Sequence, residues 1–165
     1  MLKSYYFQNF KLKQDTVFDL TELYKTIFRW FDVSGYSFHE KEYNDIDEPN
    51  GKHLEIYWYT EKPIDAYVKY VIEINYLVLG LQKIELEKGG IKINTNKGSI
   101  ELRISAYLLK DYNNKWSASP IQAQMRRIYD RFIIRKRLDK LGNDLVKDVN
   151  SVIDEIKGFL DIHRF

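Results

Sequence analysis

Val68-Lys-Tyr-Val-Ile-Glu-Ile-Asn-Tyr-Leu-Val78 is the stretch whose reading decides the fold. Val68, Tyr70, Ile72, Ile74, Tyr76 and Val78 recur every second residue, which puts six large apolar side chains on one face of a long β-strand. On either side the same period continues. Leu54, Ile56 and Trp58 share a face upstream, and Ile100, Leu102, Ile104, Ala106 and Leu108 do so downstream. Turn chemistry at Glu48-Pro-Asn-Gly51, Lys62-Pro-Ile-Asp65, Lys88-Gly-Gly90 and Asn94-Thr-Asn-Lys-Gly98 divides residues 36–112 into an antiparallel meander. Strands this long accumulate twist, so the sheet must curl, and Gly80 inside an apolar run is the natural place for a bulge or bend.

Outside the meander the period changes. Tyr5 to Lys13 alternates as a further strand, and Asp19-Leu-Thr-Glu22 then fits a capping box that starts a helix. Leu20, Leu23, Tyr24, Ile27, Phe28 and Phe31 form its apolar stripe, and Gly35 supplies its stop. Ser119-Pro120 opens a second helical region with proline at the first position, where its missing amide costs nothing. Ile121, Met125, Ile128 and Phe132 keep one stripe, whereas Ile134, Leu138 and Leu141 lie on another side, and Gly142-Asn143 offers the break. Leu145, Val149, Val152, Ile153, Ile156, Phe159 and Leu160 then form a regular stripe, which must dock on the core because soluble monomers rarely leave so large an apolar patch open. The expected fold is one α+β domain over residues 1–165. It has a curved antiparallel sheet of about six strands, one N-terminal helix and a long, broken C-terminal helical segment.

At 165 residues the chain is long enough to build a core without covalent staples. With 44% hydrophobic and 30% charged residues it fits neither a membrane-embedded nor a disordered chain. The 13 tyrosines suit strands and half-wet surfaces. Without cysteine there is no disulfide, thiolate metal site or cysteine nucleophile, so a cytoplasmic setting is expected. Met1 to Phe10 lacks the apolar core of a signal peptide, and Tyr76-Leu-Val-Leu-Gly-Leu81 is too short to span a bilayer.

The candidate chemistry is sparse. His39, His53 and His163 lack the helical spacing of a metal site, although His53 and Glu55 share a strand face, so no metal and no cofactor is expected. No phosphate loop, dinucleotide fingerprint, nucleophile elbow or carboxylate pair is present, which points away from an enzyme. The strongest local signal is charge. Seven basic residues stand between Arg126 and Lys140 against Asp130 and Asp139, a net +5 within a chain of +2. Arg127, Arg131 and Arg135 form one row on a helical wheel, with Arg126 and Arg137 on the opposite flank. Glu40, Glu42, Asp45, Asp47 and Glu48 form an acidic stretch relieved only by Lys41. The commonplace expectation is a surface helix with basic shoulders beside a buried stripe, neutralised in part by that acidic stretch.

Strand, helix, long antiparallel strands and a long last helix, in that order, resemble the START-like helix-grip superfamily. The resemblance lies in the order of elements and carries no functional residues across. It implies a curved sheet gripping a terminal helix around space for a hydrophobic or amphipathic small molecule. Trp58, Tyr70, Tyr76 and Tyr107 are then the expected lining. The function expected is that of a non-enzymatic binding module of this kind. The alternative is an interaction protein whose arginine-rich helix binds an acidic protein, anionic lipid or RNA. The modest net charge and the lack of an aromatic RNA-binding motif disfavour nucleic acid.

Overall fold

The structure is a computed structural model and describes residues 1–162. His163 therefore lies outside the described residues. Strand β1 (Leu2–Phe18) leads into helix α1 (Leu20–Val33). Four strands follow, β2 (Ser37–Glu48), β3 (Gly51–Pro63), β4 (Val68–Lys88) and β5 (Ile91–Lys110). Helix α2 (Pro120–Ile128), a π-helical turn (Tyr129–Ile133) and helix α3 (Arg135–Ile162) complete the chain. All strand pairs are antiparallel, in the order β1-β5-β4-β3-β2.

The even-numbered row of β4 faces the helices. Val68, Tyr70, Ile72, Ile74, Tyr76 and Val78 are buried with Leu54, Ile56 and Trp58 of β3, and with Ile100, Leu102, Ile104, Ala106 and Leu108 of β5. Helix α3 covers this face with Leu145, Val149, Val152, Ile153, Ile156, Phe159 and Leu160, all buried. Each such side chain contributes about 2 kcal/mol relative to exposure, so this docking dominates the stability of the C-terminal segment. Helix α1 adds Leu23, Ile27 and Phe31, and the Asp19 side chain caps it by accepting from the Glu22 amide. Two polar ties hold α3: Trp30 Nε1 of α1 donates to Ser151 Oγ at 3.1 Å, and the hydroxyl of Tyr36, just after α1, donates to Asp148 Oδ2 at 2.7 Å.

Two expectations are corrected. The sheet has five strands, because Asn94 to Gly98 is not a turn: it continues β5, paired with Gln82 to Glu85 of β4. Gly80, at φ +61°, bends β4 here, and the register slips between Leu79 and Gln82. Gly98 lies against that bend, where a Cβ would stand 3.1 Å from the Leu79 carbonyl oxygen, so the glycine serves a close backbone approach rather than a turn. The helical segment does break, but not at Gly142-Asn143, which lie inside α3. The break is the π turn, closed by the Ile134 amide on the Tyr129 carbonyl at 3.1 Å. Its extra residue shifts the phase of the helix between the two apolar stripes.

Gly142 has another purpose, since a Cβ there would overlap the ring of Tyr6 from β1. Helix propensity alone favours alanine by about 1 kcal/mol. Gly142→Ala is therefore expected to destabilise the native chain, where Tyr6 must be displaced, and to stabilise a Tyr6→Ala background by about 1 kcal/mol. Urea melts of the four proteins in that cycle check this; a change of the same sign in both backgrounds contradicts the contact.

Candidate functional site

Three of the four expected lining residues come together. Trp58, Tyr70 and Tyr76 sit in the core between the sheet and the helices, with the Trp58 and Tyr76 rings 4.8 Å apart. Trp58 Nε1 donates to Glu40 Oε2 at 3.1 Å, and the Tyr24 hydroxyl donates to the same oxygen at 2.6 Å. The Tyr76 hydroxyl is fully buried and has no hydrogen-bond partner among the described residues, and burial drives its pKa well above the ordinary tyrosine value. Tyr70 is pushed up to about 12, by burial first and then by the carboxylates of Asp144 and Asp148.

Tyr107 is not with them. It lies on the helix-free face with Val71 and Leu109. Its hydroxyl donates to Glu73 Oε1 at 2.6 Å, and the Lys3 ammonium stands 4.4 Å from its ring centre. The period of two carried this information, because a residue between Ala106 and Leu108 must point the other way. On that same face Asn9, Glu42, Glu55, Tyr57, Asn75, Glu101 and Arg103 line an open basin of about 390 Å³. Hydrogen bonds from Arg103 and then Lys11 hold the Glu101 carboxyl below the usual carboxylate range. Glu101 pairs with Lys11 and Arg103 and Glu55 with His53, and among the described residues no group of three or more His, Asp and Glu is arranged to hold a metal ion.

The basic segment is where the structure departs most from the commonplace expectation. No residue of α2 is buried. Ile121, Met125, Ile128, Phe132 and Ile133 are 72%, 55%, 49%, 72% and 68% exposed, so the expected buried stripe faces outward. The side turned to the body is polar instead. Asp130 accepts from Lys110 Nζ at 2.7 Å and from the Tyr67 hydroxyl at 2.6 Å, and Arg126 donates to Asp111 Oδ2 at 3.3 Å and Ser117 Oγ at 2.9 Å. Tyr129 stacks on Trp116 with ring centres 5.5 Å apart. Burial alone would raise the Asp111 carboxyl, but hydrogen bonds from Ser117, the Trp116 amide and Arg126 bring it below its ordinary value. Ion pairs therefore fix the orientation of this helix, and they fix it with its apolar side out.

The π turn sharpens this arrangement. It advances about 80° per residue instead of 100°, which narrows the angle between Phe132 and Ile133 and leaves both beside the stripe. The arginines divide as their wheel positions suggest. Arg126 pairs with Asp111, and Arg137 pairs with Asp65, on the inner flank. Arg127, Arg131 and Arg135 are exposed and form no ion pair among the described residues, and the Arg131 guanidinium rests 5.5 Å from the Phe132 ring centre. The acidic stretch does not neutralise them. Asp45 and Asp47 pair with Lys52, Glu48 with His53, and Glu40 holds Tyr24 and Trp58.

No family model matches this chain, and no curated protein or solved structure is significantly similar to it. Sequence reasoning named the five arginines, the stripe and the charge of Asp130, but missed that Asp130 meets Lys110 and Tyr67 and so turns the helix over. One trace was legible: Gln122, Arg126 and Asp130 recur every fourth residue and form a polar row that a conventional amphipathic helix would expose.

Removing one partner of a largely buried ion pair leaves the other uncompensated, whereas replacing both is mild. Asp130→Ala is expected to cost about 2–3 kcal/mol, and Asp130→Leu with Lys110→Met to recover most of it; equal losses in urea melts contradict the clamp. His53 is held by Glu48 first and also by Glu55, at 3.3 and 3.0 Å, which raises its pKa. Those contacts are fully present below the ordinary histidine pKa and fade as pH rises through the raised value. An NMR titration is expected to place His53 above a free histidine, and Glu48→Gln to bring it down.

Proposed function

We infer that this protein is a non-enzymatic interaction module that docks through the outward face of α2 and the π turn. The observation carrying this reading is the inverted helix. A face holding five large apolar side chains beside three unpaired arginines is kept in water by ion pairs on the opposite side. Exposed apolar rows of this kind on soluble domains mark places of contact. The arginines select a surface that carries negative charge as well as apolar groups, because guanidinium groups pair well with carboxylates and phosphates.

A second reading retains the groove, with a small amphipathic molecule held between sheet and α3. The unpartnered Tyr76 hydroxyl favours it, since a buried polar group without a partner is rare and a guest's polar atom would satisfy it. An antiparallel sheet with a C-terminal helix packed on it is loosely compatible with the helix-grip resemblance. Native mass spectrometry of protein purified from extract tests this reading; a bare chain counts against it.

The docking reading is tested by an in-cell photocrosslinker at position 132. Adducts are expected there, and few from the same group at position 91, an exposed apolar site on the β4–β5 hairpin. Changing Arg127, Arg131 and Arg135 together to Gln is expected to shift stability by less than about 0.5 kcal/mol, because exposed unpaired charges contribute little. The same change is expected to remove most adducts. Equal crosslinking at positions 132 and 91, or adducts indifferent to the triple change, overturns the reading.

A further inference from the structure

We propose that the surface engaged by α2 is an anionic lipid bilayer, which the helix enters lying flat, with its apolar row in the acyl boundary and its arginines at the headgroups. This rests on the docking reading above and names the partner. Helices that lie in a membrane interface combine a large apolar face with a basic polar flank, and they need no complementary groove on the other side. The run from Pro120 to Ile133 has that composition. Ile121, Met125, Ile128, Phe132 and Ile133 present only hydrocarbon, thioether and aromatic groups, with no polar atom for a protein pocket to recognise. Arg127, Arg131 and Arg135 border the row with side chains long enough to reach phosphates while their stems stay among apolar groups. The guanidinium of Arg131 already lies against the Phe132 ring, an arrangement that survives at a headgroup boundary.

Charge across the whole molecule argues for an extended surface. α2 is anchored at the end of the sheet where Val68 pairs with Lys110, through Tyr67, Lys110 and Asp111. The β2–β3 turn with Asp45, Asp47 and Glu48 lies at the other end of the strands, near the Lys52↔Leu81 pair. Lys69 and Leu81 are twelve residue steps apart along β4, about 40 Å of strand, so the acidic pole is carried well beyond the screening length from a membrane met by the basic pole. A second copy fits the face poorly, because a two-fold contact through the row would set each copy's three unpaired arginines beside those of the other.

The test uses the full chain and vesicles. The protein is expected to sediment with phosphatidylcholine vesicles containing about 30% phosphatidylserine, and about tenfold less with phosphatidylcholine alone or when salt is raised from about 100 to about 500 mM. The triple Arg→Gln variant and an Ile128→Ser, Phe132→Ser variant are each expected to bind about tenfold more weakly, with melting curves unchanged because the altered side chains are exposed. Since the chain has no cysteine, Phe132→Cys can carry a polarity-sensitive dye, with Ile91→Cys as control. Emission is expected to shift blue on anionic vesicles at position 132 only. Binding that ignores lipid charge and salt, or equal shifts at both positions, overturns the proposal. If vesicles are not bound while position 132 crosslinks to protein in cells, the bilayer is refuted and the docking reading stands. If neither occurs, both fail.

Discussion

The pairing of β4 with β5 is the constraint on which the rest depends. It runs from Val68↔Lys110 to Lys88↔Ile91 and slips only at the Gly80 bend. Because side chains alternate along both strands, this register sorts their residues onto two faces, and a slip of one residue would exchange the core for the surface. β1 is laid on β5 and β3 on β4, so every later packing decision inherits that register. The pair also determines where the chain leaves the sheet. Lys110 and Asp111, the residues that hold α2, stand at its open end beside Tyr67 and Val68.

Two kinds of force therefore hold the two C-terminal helices. α3 is fixed by apolar burial along its length, which is strong, insensitive to salt and indifferent to the polarity of what lies beyond it. α2 is fixed by a few ion pairs and hydrogen bonds, whose net worth is smaller because each partner gives up water to make them. Even this clamp leaves Gln122 Oε1 and Arg126 Nε buried without partners among the described residues. Elements held by polar contacts with little apolar burial lie at the low-stability end of a fold, where segments that meet partners are usually drawn from. The contrast between the helices is thus one of packing, and it is the contrast that the proposed docking draws on.

Much of this was legible in the sequence, and the misses have physical causes. The β4 row, the Asp19 cap, the Gly80 bend and the α3 stripe were readable because each is a local pattern that tertiary contacts reinforce. Asn94 to Gly98 reads as a turn because turn residues and a close backbone approach use the same amino acids, and only the position of the Leu79–Leu81 bend decides between them. Gly142 reads as a helix break because its neighbour across space, Tyr6, is more than a hundred residues away in the chain. Tyr107 reads as a lining residue by its chemical character, although its parity between Ala106 and Leu108 puts it on the other face. The orientation of α2 could not be read from its own stripe, because the ion pairs that set it involve Tyr67, Lys110 and Asp111 outside the helix.

That last miss is the informative one. When local pattern and global fold agree, a sequence is simply foldable; where they conflict, the conflict costs stability and must be maintained by something else. Here the pattern of α2 asks for its apolar stripe to be buried, and the sequence supplies Asp130, Arg126 and Lys110 to prevent it. Replacing these with apolar residues would be the simpler route to a stable helix, as buried ion pairs rarely outperform well-packed hydrocarbon. Their presence makes sense if the burial of the stripe is deferred to a contact outside the molecule. The clamp then keeps α2 from satisfying itself against its own sheet, and the free energy of covering Ile128, Phe132 and Ile133 remains available for binding.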